Sequence, residues 1–226
     1  MHISSTKVPK GTKLTIWEEP VVGQPGLEAL SPRIASVFGR WSALEKQLDQ
    51  VFTLISEADG TARVQYENAK GWDRRIDMIA AASKARLDVA KQDVVKAVLG
   101  LVKEPAKKRD ELAHAVWAVA EGFKNHLVLL SSDNQRILAE AAVAAKKAGT
   151  NKVPIEIKSI YEGSSLVSSD DLDALREALR RGQERLTDLI RGYLYEPFLD
   201  ETGDGFSESR SRIENDPDIQ ARVTNM

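Results

Sequence analysis

The sequence predicts a mainly α-helical protein: a helical bundle with a small two-stranded ribbon and an extended N-terminal arm. Three observations carry this. Apolar residues recur at spacings of three, four and seven through most of the chain, which marks helices with one buried stripe. Asp59-Gly60, Glu104-Pro105 and Gly122 punctuate those periodic segments. Only two later stretches, 123–130 and 153–161, read as strands.

Residues 1–30 contain three prolines and no helical period. Lys13 to Trp17 suits one short strand, and the rest reads as an arm. Ser31-Pro32 then opens the first helix, with serine as N-cap and proline in the first turn. Ile34, Val37, Phe38, Trp41, Leu44, Leu48, Val51, Phe52 and Ile55 form its stripe, and Asp59-Gly60 ends it. A second helix is expected over about 62–85, with Tyr66, Ala69, Trp72, Ile76, Ile79 and Ala80 on one face and Gly71 as a locally weak point. A third is expected over 88–102, with Val94, Val95, Val98, Leu101 and Val102 inward. Pro105 cannot continue that helix but can begin another. A fourth is therefore expected from Pro105 to Glu121.

Phe123 to Leu130 reads as a strand, 134–148 as an Ala-rich helix, and 153–161 as a second strand. Ser168 to Asp171 offers N-caps and favourable negative charge for the last helix. Leu172, Leu175, Leu179, Leu186, Leu189, Ile190 and Tyr193 are its stripe. Residues 199–226 hold seven acids against three arginines and are expected to be a flexible tail or to dock on a partner. The organisation expected is an arm over 1–30, a helical domain over 31–198 and a tail over 199–226.

The 226 residues fit one decorated domain, and 42% hydrophobic content suffices for a core. The net charge of −2 argues against a generic nucleic-acid coat, so any RNA contact must use a local patch. With no cysteine, disulfides, thiolate catalysis and Cys-based metal sites are excluded. No run approaches membrane-spanning length and no signal peptide is visible. The expectation is a cytoplasmic protein without a membrane partner, without a cofactor and without a metal site.

The segment that stands out is Arg109-Asp110-Glu111-Leu112-Ala113-His114. A histidine shuttles protons near neutral pH, and an arginine grips phosphate with a planar fork of donors. The bare pattern is weak: sixteen arginines and three histidines give about 0.2 such pairs by chance. On a helix, Asp110 and His114 share a face beside the stripe Leu112, Val116, Val119 and Ala120, with Trp117 at its border. Arg109 lies about 140° further round. One helix does not place both groups on one phosphate, whereas two copies across a two-fold axis do, which predicts a composite site in a homodimer. The plain alternative pairs Arg109 with Glu104 or Glu111 and leaves His114 in an i, i+4 contact with Asp110. Lys107 and Lys108 are candidates for steering phosphate. Arg176, Arg180, Arg181, Arg185 and Arg191 either track an RNA backbone or form a solvated, internally paired face. His126 reads as part of a polar strand face, and Trp41, Trp72 and Trp117 as core.

The segment resembles the signature of the HEPN superfamily, in which an arginine, a following polar residue and a histidine four to six residues on define the motif. Gly39 to Leu48 (GRWSALEKQL), Trp72 to Ile79 (WDRRIDMI) and RDELAHAVW followed by a strand resemble, in order, a bacterial branch of that superfamily. The likeness covers about residues 32–195. Asp110 stands where asparagine is commoner, and Ala115 where glycine is frequent. The resemblance implies an α-helical bundle and a metal-independent endoribonuclease. His114 is then the base or acid at the ribose 2′-hydroxyl, Arg109 stabilises charge on phosphorus and Asp110 orients the pair. It also implies a toxin or defence role and a neutralising protein partner. The alternatives are a non-catalytic helical module that binds a nucleotide, RNA or protein, and a purely structural bundle.

Overall fold

The computed structural model describes residues 3, 6–12, 14–16, 28–57, 59–149, 161, 163–195 and 204–225. The chain is mostly helical and forms two compact units. One comprises residues 1–38 and 107–177, the other 39–106 and 178–226. Helices α1 (Ser31–Ile55), α4 (Val89–His114) and α6 (Ser169–Leu189) each supply residues to both.

The first unit contains an antiparallel sheet rather than the expected two-stranded ribbon. Its four strands are β1 (Leu14–Ile16), β2 (Val116–Ala120), β3 (Leu127–Leu130) and β4 (Ser164–Val167), in spatial order β1-β2-β3-β4. Leu14 faces Ala120, Trp117 faces Leu129, and Val128 faces Leu166. The strand expected at 123–130 is thus present in its second half. Residues 153–160, expected as its partner, lie outside the described residues. The described residues of the N-terminal arm include further pairing with the sheet. Lys7 forms an antiparallel bridge with Ser165, and the Leu166 amide donates to the Thr6 carbonyl at 2.9 Å. One short segment therefore pairs with β4 through residues 6–7 and with β2 through residues 14–16, flanking strands β2, β3 and β4 on both sides.

Beneath the sheet, Val8, Leu14, Ala118, Ala120, Val128, Leu130, Tyr161 and Leu166 form a buried cluster. Ile137 and Leu138 of α5 (Ser132–Lys147) pack against it. The Tyr161 hydroxyl donates to the Thr12 carbonyl at 3.0 Å, tying the N-terminal turn to that cluster.

The region expected as helix beyond His114 is β2. Val-Trp-Ala-Val is rich in β-branched and aromatic residues. Ala118 and Ala120 are buried while Val116, Trp117 and Val119 are half-buried, the alternation of a strand. The expected break at Pro105 is absent, because α4 runs through it. An interior proline costs about 3 kcal/mol. The buried stripe Val95, Val98, Leu99, Val102, Ala106 and Leu112 continues on both sides of it. At roughly 1.5–3 kcal/mol for each large side chain, that burial outweighs the break.

The second unit is helical. The expected helix over 62–85 is two, α2 (Gly60–Glu67) and α3 (Trp72–Arg86). Gly71 is not a weak interior residue but the N-cap of α3, at φ 87°, a conformation that favours glycine. Trp41, Leu44, Leu48, Val51, Phe52 and Ile55 are buried along α1 as the stripe predicts. Phe52 stacks on Tyr66 with centroids 4.3 Å apart, and Trp41 meets Trp72 at 4.9 Å. A Cβ at Gly182 of α6 would lie 3.3 Å from Leu44, so the missing side chain lets these helices approach closely.

After α6 the chain makes a π turn over Ile190–Leu194, closed by the Tyr195 amide on the Ile190 carbonyl at 2.9 Å. The polar stretch expected to be a flexible tail or to dock on a partner then holds two helices, α7 (Asp204–Glu214) and α8 (Pro217–Thr224). Ile213 and Ile219 bury against the unit, and a Cβ on Gly192 would meet the Arg210 backbone nitrogen at 2.7 Å. Among the described residues, no helix is long and apolar enough to cross a membrane.

Candidate functional site

The motif occupies the C-terminal end of α4, within the first unit. Fully buried Leu112 anchors this turn in the core. The Ala115 amide donates to the Glu111 carbonyl at 3.0 Å, and the Trp117 indole donates to the Leu112 carbonyl at 2.8 Å. Together they satisfy carbonyls that a helix end leaves open. Trp117 therefore does not border the helical face of His114, as a longer helix would require. It sits in β2 and caps the helix from there.

Arg109 is held from two sides. Its Nη1 donates to Asp110 Oδ1 at 2.9 Å, and its guanidinium carbon lies over the Phe38 ring, 5.3 Å from the centroid. The Arg109 side chain is 22% exposed and that of Asp110 42%. Asp110, expected to orient the pair, accepts from Arg109 through Oδ1. Glu111 accepts the backbone N–H of buried Ile3 at 2.9 Å, so the N-terminal arm is fastened to the motif itself. His114 is exposed at the last position of α4. Lys107 is exposed and Lys108 half-buried, nearly two turns before it.

Arg109 and His114 are both on the regular part of α4. They stand about 140° apart around the axis and about 7.5 Å apart along it. Chain contiguity places Lys107, Lys108, Arg109, Asp110 and His114 within two turns, and the helix splays the arginine from the histidine as its geometry predicts. His126 is elsewhere, in the turn before β3. Its Nδ1 is 3.0 Å from the Lys124 carbonyl, and its ring meets Phe123 edge-on at 6.0 Å.

Neither Ile3 nor the Phe38 contact with Arg109 is marked in the sequence. Phe38 reads as one more stripe residue of α1. Its one distinguishing sign is position: it falls one residue beyond the 34-37-41-44-48 seam, at the stripe's margin.

The arginines of α6 tell a different story, within their own units. Arg176 pairs with Asp173 at 3.3 Å and Arg180 with Glu184. Arg185 makes a two-pronged contact with Asp216, Nε–Oδ2 2.8 Å and Nη2–Oδ1 3.1 Å, and also reaches Asp218. Arg212 of α7 grips Asp188 at 2.6 Å. Arg180, Glu184, Arg185, Asp188, Arg212 and Asp216 line a groove of about 810 Å³ in the second unit. Its cations and anions are interleaved, and Arg176, Arg180 and Arg185 are internally paired. Among the described residues, no three His, Asp or Glu side chains cluster as a metal site would require.

Comparison of the chain with protein-family models, with curated proteins and with solved structures gives no match.

Proposed function

We propose that this protein is a metal-independent endoribonuclease of HEPN type, acting as a homodimer in a toxin or defence role under a neutralising protein partner. The observation that carries the reading is the end of α4: an exposed histidine five residues after an arginine whose guanidinium is held in place by Asp110 and Phe38. Two such helices facing across a two-fold axis bring the arginine of one copy toward the histidine of the other. His114 then takes the proton from the ribose 2′-hydroxyl, and that oxygen attacks phosphorus. The bond from phosphorus to the 5′-oxygen breaks, and the departing oxygen receives a proton, from the partner's His114 or from water. The products are a 2′,3′-cyclic phosphate and a 5′-hydroxyl. Arg109 stabilises charge on the phosphoryl oxygens, and Lys107 and Lys108 draw the RNA backbone in.

One observation favours a second reading, a non-catalytic module that binds a nucleotide, RNA or protein. The Asp110 carboxylate lies against the same guanidinium that phosphate would use. The deciding experiment incubates purified protein with total RNA in EDTA, beside Arg109→Ala and His114→Ala. Cleavage by the wild type alone, with cyclic-phosphate ends, supports the nuclease. Equal cleavage by all three proteins, or cleavage of DNA, refutes it. RNA binding without cleavage by a folded dimer supports the second reading.

A further inference from the structure

We propose that Phe38 is a positioning residue for Arg109, fixing the guanidinium where it meets the phosphate; this rests on the ribonuclease reading above. Arginine reaches its target through a long, rotatable stem, so a catalytic arginine needs something to define its plane and place. Here the two restraints differ in kind. Asp110 takes a specific N–H at 2.9 Å. The Phe38 ring, 5.3 Å from the guanidinium carbon, attracts the cation as a whole through its face. An aromatic face requires none of the five in-plane donors by which arginine grips phosphate. It can therefore hold Arg109 throughout a reaction in which Asp110 gives way to substrate.

Burial agrees with that role. Ile34 and Val37, on the preceding turn of α1, are sealed in the core, whereas Phe38 is only half-buried. A residue serving the core alone would be covered like its neighbours. Phe38 instead presents its ring to a side chain 71 positions along the chain, in the same compact unit.

The test compares full-length wild type, Phe38→Leu, Phe38→Tyr and Arg109→Ala. Single-stranded RNA cleavage in EDTA is measured together with the ¹⁵N–¹H resonance of the Arg109 guanidinium. A contact of this kind predicts about a two- to fivefold fall in kcat for Phe38→Leu, with KM changed less. It also predicts near wild-type kcat for Phe38→Tyr, and a ring-current shift of the Arg109 signal that Leu removes and Tyr retains. Should Phe38→Leu fail to fold, Phe38→Met takes its place. Wild-type kcat in the aliphatic variant, or an Arg109 resonance it does not move, overturns the proposal. Cleavage unaffected by Arg109→Ala overturns the ribonuclease reading itself. Cleavage lost in Arg109→Ala but untouched in Phe38→Leu overturns only the positioning role.

Discussion

Replacing Arg185 with methionine tests what fastens the C-terminal helices to their unit. Arg185 bridges α6 to the start of α8 through two bonds to Asp216, at 2.8 and 3.1 Å, and the two side chains are only 17% and 19% exposed. Hydrogen bonds to charged groups contribute about 1.5–3 kcal/mol when shielded, and a fully buried pair costs roughly 3–5 kcal/mol to break. This intermediate case should cost about 2 kcal/mol, or roughly 4–8 °C in Tm for a chain of this size. Asp216→Ala should cost about 1 kcal/mol more. The same carboxylate caps α8, accepting the amides of Asp218 at 2.9 Å and Ile219 at 3.3 Å.

The effect carries a pH signature. Burial pushes the Asp216 carboxyl up, but the Arg185 hydrogen bond, the two backbone amides and the Arg185 charge together outweigh it and hold it below the usual carboxylate range. A group depressed in the folded state stabilises fully above its unfolded pKa, about 3.9, and that contribution is lost as pH falls through the lower folded value. The gap between wild type and Arg185→Met should therefore be full at pH 7 and close below about pH 4. Circular dichroism melts across pH give the gap, and hydrogen exchange over 204–225 gives its location. A pH-independent gap, a Tm change under about 1 °C, or unchanged exchange in α8 would refute the reasoning.

Three further outcomes are expected. Asp110→Asn removes a negative charge beside Arg109 and should tighten binding of a non-cleavable single-stranded RNA about three- to fivefold at low salt, fading as salt rises; weaker binding, measured by fluorescence anisotropy, would show that the carboxylate positions Arg109 rather than competing with phosphate. Gly192→Ala places a Cβ 2.7 Å from the Arg210 backbone nitrogen and should cost about 1–3 kcal/mol through displacement of α7, read as a lower urea midpoint; an unchanged midpoint would show that α7 shifts without cost. Pro105→Ala restores an N–H inside α4 and removes a ring clash, and should raise Tm by about 2 °C after the unfolded chain's gain in freedom is subtracted; a fall in Tm would mean that ring packing dominates.

What was legible in the sequence follows from the range of the forces involved. The stripes of α1 and α6 were plain because a helical period is written locally, and Leu172, Leu175, Leu179, Leu186 and Leu189 are buried as their spacing requires. β2 was misread because Leu112, Val116, Val119 and Ala120 satisfy a helical spacing while Val116 to Ala120 also suit a strand. What decides is pairing with β1 and β3, which local spacing does not encode. Pro105 misled because a local cost was opposed by burial along the whole of α4. The C-terminal acids looked like a solvated tail, yet Asp216 finds its arginine 31 positions earlier. The candidate site divides the same way. Arg109, Asp110 and His114 were visible as neighbours, whereas Phe38 and Ile3 reach the motif across 71 and 108 positions of chain.

The N-terminal segment that flanks β2, β3 and β4 on both sides also sets an order of events in time. During synthesis β1 emerges long before β2, and residues 6–7 wait longer still for Ser165 and Leu166. Such distant pairings close slowly. The nascent chain therefore carries β1 unpaired until β2 has been made, and the bridge from Lys7 to Ser165 can form only when more than 160 residues have been joined. A bulky fusion at the N-terminus would burden that last closure more than one at the C-terminus. The comparison of soluble yields from the two fusions reads the folding sequence directly.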